Sequence, residues 1–309
     1  MYKHYFILFY FIIYFAAYSQ DNQYNVPKKE KDLIIYDNYL KDKRYQLGLS
    51  YFNQKANSIY YKDNNTIYYI VDKITKKLFN PQLNVNTLEI YSKLNFFKNC
   101  SINIRIPLSY YNLYEEYQSY FDSLLKENIP KSKKMETSFY NIDYINLEIK
   151  YNLFKSNLIL DLILGSDIPI INKESNENKI NIVYPFAINT KLQSTINFEK
   201  FHLIYDLSYI IRNNNFSDNI YSTITFGIYT IPETYISLKG IFNKSLNKIE
   251  NTLDIYKLAN NEDYIDTQIS FGLIIYDDIN LDLNYRLRAY GRNTWNLTGY
   301  KLGIFYKFN

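Results

Sequence analysis

Cysteine is almost absent, since Cys100 is the only one in 309 residues. That excludes a disulfide-stapled scaffold and any CxxC redox or zinc site. Histidine is nearly as scarce, with His4 and His202 alone, so a soft-ligand metal cluster and an HExxH motif are both out of reach. The eight glycines form no Gly-rich phosphate loop and no GxSxG elbow. Neither sign of charge dominates: 35 Lys plus Arg against 31 Asp plus Glu leave a formal charge of +4. Such mixing argues against a nucleic-acid face. Beyond the N-terminus there are no long apolar runs, which excludes a helical protein with many membrane spans. What the chain has in abundance is 36 Tyr and 20 Phe, a composition suited to strands.

The N-terminus reads as a cleaved secretory signal over residues 1–19. Lys3 supplies the positive charge, 5–18 is an uncharged aromatic and branched stretch, and Ala17-Tyr18-Ser19 places small residues before a cut at Gln20. The stretch is short for a bilayer-spanning helix, which wants about 20 apolar residues; a membrane anchor on a soluble domain is the alternative. Residues 20–44 are a polar periplasmic lead-in, with KKEKD at 28–32.

From Tyr45 onward, period-two alternation recurs and no long amphipathic helix is evident. Twelve strands are expected, at 45–52, 87–96, 101–108, 143–153, 157–168, 189–198, 201–211, 220–229, 234–242, 264–276, 279–290 and 299–308. The fourth could begin earlier, near Phe139. Long connections (53–86, 109–142, 169–188 and 243–263) fall only on odd-numbered gaps, and even-numbered gaps are all tight. In an up-and-down antiparallel sheet this puts every long loop at one end, the asymmetry of an outer-membrane barrel with short periplasmic turns. The predicted fold is therefore all-β: a single closed transmembrane barrel over 45–309, with both termini periplasmic. Within the loops, 67–72 could extend a hairpin, and Leu113, Tyr117, Tyr120, Phe121 and Leu124 recur at the spacing of a short helix over 113–127.

The two faces of each strand differ as a membrane wall requires. In the eleventh, Ile279, Leu281, Leu283, Tyr285, Leu287 and Ala289 oppose Asn280, Asp282, Asn284, Arg286, Arg288 and Tyr290. In the fourth, Leu147, Ile149, Tyr151 and Leu153 oppose Asn146, Glu148, Lys150 and Asn152. Closure of the sheet would leave no unpaired backbone in hydrocarbon. Glu148, Lys150, Asp161, Lys191, Asp206, Asp266, Asp282, Arg286 and Arg288 are the expected lumen charges. They either select solutes along a polar passage or neutralise one another in a narrow interior; Arg286 and Arg288 are the foremost candidates for selectivity. Tyr45, Tyr51, Tyr151, Tyr209, Tyr229, Tyr276, Tyr290, Tyr300 and Tyr306 lie near strand ends, where a phenol can sit between lipid and headgroups.

Two stretches carry a family likeness. Thr87-Leu88-Glu89-Ile90-Tyr91 followed by a tight turn and Ile102-Asn103-Ile104-Arg105-Ile106-Pro107, together with Asp263-Tyr264-Ile265-Asp266 and the run from Arg286 to Thr294, resemble Gram-negative outer-membrane barrels of the MetA-pathway phenol-degradation and transporter type. These are similar in outline to fatty-acid and aromatic-hydrocarbon channels. Phe308, one residue from the end, looks like the terminal aromatic read by barrel-insertion machinery. The resemblance implies an outer-membrane channel for small, hydrophobic or aromatic compounds. Its expected partners are outer-membrane lipid, lipopolysaccharide and the insertion machinery, and it is expected to work as a monomer without cofactor, metal or nucleic acid. Two alternatives stand beside it: a plugged barrel used for structure or adhesion, and an outer-membrane lipid-modifying enzyme. For the enzyme His202 is the sole candidate base. It follows a tight turn and so falls at the periplasmic end, pointing inward, where a structural role is expected.

Overall fold

The computed structural model describes residues 44–61, 65–67, 70–71, 77–97, 99–119, 133–156, 158–170, 185–198, 201–213, 216–231, 234–246, 262–276, 278–292 and 294–308. The signal segment and all of the lead-in except Arg44 lie outside these residues. The wall strands are β1 (Tyr45–Ala56), β2 (Lys77–Phe97), β3 (Cys100–Ser119), β4 (Lys133–Ile142 continued by Tyr144–Lys155), β5 (Leu158–Pro169), β6 (Ala187–Asn197), β7 (Phe201–Arg212), β8 (Asn219–Ile231), β9 (Thr234–Ser245), β10 (Asp263–Tyr276), β11 (Ile279–Arg292) and β12 (Thr298–Phe308). Each pairs antiparallel with its neighbour, and β12 pairs back onto β1 from Tyr45↔Phe308 to Lys55↔Thr298. The sheet is thus a single closed barrel of twelve strands with no free edge along the wall.

The tight turns, Arg44 and Phe308 share one end of the barrel, and the strand ends that lead into the longer connections share the other. Leu47, Leu49, Leu88, Ile90, Leu302 and Ile304 are exposed on the outer face, while Gln46, Ser50, Asp161, Asp206 and Asp266 are buried inside. This is the inverse of a soluble core, as expected when lipid is the outer solvent. Aromatic rings crowd the turn end, with Tyr45 against Phe308 (5.4 Å between centroids) and Phe198 against Phe201 (4.2 Å). Toward the loop end the apolar band on β1 and β2 gives way to a ladder of amides. Tyr51 Oη donates to Asn86 Oδ1 (2.6 Å), and Asn53 Nδ2 donates to Asn86 Oδ1 (2.7 Å) and Asn84 Oδ1 (3.1 Å). Of the expected girdle tyrosines, Tyr51, Tyr151, Tyr209, Tyr300 and Tyr306 are exposed. Tyr229 instead turns inward, its ring 5.6 Å from that of His202 and 6.3 Å from that of Tyr235.

Several boundaries differ from the sequence expectation. Strands β2, β3 and β4 run well beyond the others, occupying much of the stretches expected to be loops. Residues 113–119, expected to begin a loop helix, are strand instead. Short strands follow β1: Ile59–Tyr61 pairs with Asn65–Ile67 and Thr294–Trp295, and Ile70–Val71 pairs with β2.

Two irregularities aim side chains. Between the pairs Arg105↔Asn146 and Leu108↔Ile142, residues 106–107 of β3 oppose residues 143–145 of β4. Pro107 has no N–H to give the ladder, so the partner strand bulges at this point. The bulge turns both Asp143 and Tyr144 inward. In β11, Ala289 is skipped between Arg288↔Asp266 and Tyr290↔Ile265. The shift carries Tyr290 off the face it was expected to share with Arg286 and Arg288, to a position opposite outward-facing Ile265.

Inward glycines leave room for rings from the adjacent strand. A Cβ at Gly227 would run into the His202 imidazole, and one at Gly272 into the Tyr235 ring. Tyr235 Oη in turn donates to Asp282 Oδ1. Replacing Gly272 by valine should therefore cost about 1–3 kcal/mol through overpacking, read as a lower midpoint of heat-modifiable migration in detergent gels. An unchanged midpoint would show that the Tyr235 ring yields freely.

Candidate functional site

The inner face of the barrel is the chemically rich surface. All nine sequence-selected charges lie on it, and neighbouring walls bring most of them into networks. On the β10–β11 side, Asp266 accepts from Arg286 Nε (2.8 Å) and Nη2, and from Arg288 Nε (2.7 Å) and Nη2 (3.1 Å). The opposite walls are joined by Lys150 Nζ to Asp161 (2.8 Å), and by Arg105 and Lys191 sharing Glu148 (3.6 and 3.5 Å). Asp206 accepts from Gln193 Nε2 and Thr223 Oγ1, each at 2.8 Å. Asp282 accepts from Tyr235 Oη.

Arg286 and Arg288, two residues apart, share a face but not an environment. Arg286 borders open lumen. Arg288 is buried, its guanidinium stacked 3.9 Å over the Tyr264 ring. It donates to Thr294 Oγ1 and to the Trp295 carbonyl (3.1 Å), and its backbone N–H donates to the Leu297 carbonyl (2.9 Å). Arg288 therefore clamps the connection between β11 and β12. Glu262, just outside β10, accepts from Thr294 Oγ1 at 3.2 Å. Burial pushes its carboxyl pKa up, against the opposing pull of Arg288 and Arg212.

That connection is folded into the loop end of the lumen. Ala56, Leu83 and Leu113 are register partners on β1, β2 and β3, forming an apolar row across three inner faces. Trp295 is buried on this row together with Leu297. Asn296 pins the segment to the residues just past β1, its N–H donating to the Ser58 carbonyl (3.0 Å) and its Nδ2 to Ser58 Oγ (3.1 Å).

Next to this apolar stopper lies a cavity of about 540 Å³. Leu83, Val85, Tyr111, Leu297 and Phe52 supply its apolar lining; Gln268, Asn284, Asp282, Arg286, Asp143 and the Lys301–Glu89 pair (2.6 Å) supply its polar lining. Asp143 is held by uncharged donors, Ser109 Oγ at 2.6 Å, Tyr111 Oη at 2.7 Å and Asn141 Nδ2 at 3.1 Å. A cavity lined by both apolar and directed polar groups is the form of a small-molecule site.

Sequence reasoning passed over Arg105, Glu89, Lys239, Lys301, the Asp143–Tyr144 pair and Trp295. Strand alternation carries a signal for the first four, each on the polar face of its strand. His202 is buried beside Gly227 and Tyr229 at the turn end, and its Nδ1 has no hydrogen-bond partner among the described residues. Among the described residues no three His, Cys, Asp or Glu side chains gather as they would around a metal ion.

No protein-family profile matches the chain, and no curated protein matches it. Similarity appears among solved structures. An outer membrane channel from Pseudomonas putida F1 superposes with a TM-score of 0.58 at 12% identity, covering 92% of this chain and 100% of that one. The KdgM porin gives 0.43 at 6% identity, with 85% and 99% covered. A mutant of the TodX monoaromatic hydrocarbon channel gives 0.45 at 8%, with 88% and 92% covered. The first shares the twelve-stranded chain's fold over nearly its whole length.

Proposed function

We propose that this chain is a monomeric outer-membrane channel for small solutes, hydrophobic or aromatic compounds among them, stoppered at its extracellular mouth by the Trp295 segment. Residues 1–19 would be removed on export, and the barrel would reach lipid and lipopolysaccharide through the insertion machinery. The observation that carries this reading is the mixed-lining cavity directly beside the apolar cluster around Trp295. Polar walls hold a hydrated solute, and a hydrophobic constriction gates by excluding water. The fold shared with an outer-membrane channel supports it. Asp282 and Arg286 line the cavity and are the residues best placed to orient a passing solute, whereas Arg288 serves the stopper. The buried Trp295 also favours a second reading, a barrel permanently plugged for structure or adhesion.

Conductance in a planar bilayer separates the two. The wild-type protein should give small, intermittent currents, and Trp295→Ala should raise them severalfold by emptying the seat formed by Ala56, Leu83 and Leu113. A folded protein that conducts in neither form would establish the plugged barrel.

A further inference from the structure

One rung of the sheet's register strings carboxylates along the cavity wall. It runs from Asp282 on β11 through Gly303 on β12, Ser50 on β1 and Glu89 on β2 to Pro107 on β3. Pro107 opposes the β4 bulge that turns Asp143 inward. Asp282, Glu89 and Asp143 all line the cavity, and no position on this rung holds Lys or Arg.

The two cations of the lining stand nearer the loop end. Lys301 is two residues from Gly303 and donates to Glu89 at 2.6 Å. Arg286 is four residues from Asp282 along β11, about 13 Å at the usual strand rise. It is directed at Asp266, whose register partner Arg288 lies further still toward the loops. Arg286 therefore leans away from Asp282. The lining holds three carboxylates against two cations, and Arg286 is shared with a further carboxylate behind it. Asp143 and Asp282 accept from hydroxyl and amide donors, which orient them without adding charge.

Between Asp282 and Glu89 the wall is low. Gly303 has no side chain, Ser50 has a short one, and the Phe305 ring packs over Gly303 and Gly48, where a Cβ would run into it. Phe305 and Phe52 bring aromatic surface to the same cavity, and Leu83 and Val85 bring aliphatic surface. Carboxylates beside an aromatic ring suit an organic ammonium, whose N–H groups take charge-assisted bonds while the ring attracts its charge. A bare metal ion is not served, because the carboxylates are spread along the rung rather than gathered, as are all such groups among the described residues.

From this arrangement we infer that the cavity binds a small protonated amine with an aromatic body, its nitrogen at the carboxylate rung and its ring against Phe305 and Phe52. The inference names a substrate class for the proposed channel and rests on that reading in taking the cavity as open to solutes.

Binding is measured on the full-length refolded protein in a maltoside detergent, which carries no charge to compete. Equilibrium dialysis at neutral pH and low ionic strength compares radiolabelled phenethylamine, 2-phenylethanol and phenylacetate, which share a ring and differ in charge, with detergent alone as the blank. Phenethylamine should bind saturably and about tenfold more tightly than the alcohol, phenylacetate should bind most weakly, and added salt should weaken the amine. Asp282→Asn should weaken the amine about tenfold, the loss of one charge-assisted contact. It should weaken the alcohol far less, since asparagine keeps an acceptor oxygen. Asp143→Asn should act in the same direction and serves if the first variant does not fold. The site is overturned if the amine binds no more tightly than the alcohol, if phenylacetate binds best, or if the folded variants hold the amine as the wild type does. Dialysis needs no current, so a protein that prefers the amine but never conducts would remove the passage and leave the site. One that conducts without that preference would do the reverse.

Discussion

Replacing Leu283 by arginine should block assembly of the barrel, at a cost of about 2–4 kcal/mol for a charge at the middle of the lipid-facing band. Leu283 is exposed on the outer face of β11, flanked in register by Phe271 on β10 and Leu302 on β12, both also exposed and apolar. A guanidinium there has lipid on every side and no carboxylate beside it on the same face. Leu287, two rungs nearer the loop end, pairs with Thr267 and Thr298, and Thr298 with Lys55. The apolar band is ending at that level, so Leu287→Arg should cost distinctly less. Refolding into lipid vesicles under a urea gradient measures both. Equal penalties would mean that the band extends further toward the loop end than these neighbours indicate.

A comparable loss is expected from within. Asp266 is fully buried and is the shared acceptor of Arg286 and Arg288. Asp266→Ala strands two guanidiniums facing one another, and breaking a buried pair of this kind costs about 3–5 kcal/mol. Removing the negative charge also loosens Arg288, and with it the hold on Thr294 and the Trp295 carbonyl. The variant should unfold at lower urea than the wild type, and the fluorescence of Trp295, the protein's only tryptophan, should shift toward a wetter environment. An unfolding midpoint within about 1 kcal/mol of wild type would show that water in the lumen already screens these charges.

Closure, strand number and facing were legible wherever a strand crosses lipid, because one face must then be apolar throughout. Residues 279–288 alternate without a break, and nothing but a wall strand fits them. The same rule fails where the sheet rises beyond the apolar band. At 77–86 and 113–119 both faces lose that contrast, and a strand carrying Asn and Pro reads as a loop. The LYEEYQS stretch even reads as helical, since Leu113 and Tyr117 fall at that spacing with Tyr120, Phe121 and Leu124 beyond it. Bulges defeat parity for another reason. Nothing local at Asp143 announces an extra residue; the cause is Pro107 on the neighbouring strand, and only the pairing connects them. The individual charges of the site were visible, but their partners were not. Glu148 is shared between Arg105 on β3 and Lys191 on β6, residues 86 apart in the chain that alternation alone cannot match.

Trp295 also bears on the order in which the molecule is built. Its seat belongs to the first three strands and its tether to the last two, with Ser58 and Asn296 separated by 238 positions. Before β1 and β12 zip together, seat and tryptophan lie on opposite margins of an open sheet. Contacts between such distant parts of a chain form late, because the loop they close is long. Any species whose seam is still unzipped therefore has an empty mouth, and the burial of Trp295 contributes only to the last step. The segment is in this sense a latch on completion: Trp295 finds its seat by the same act that joins the first strand to the last.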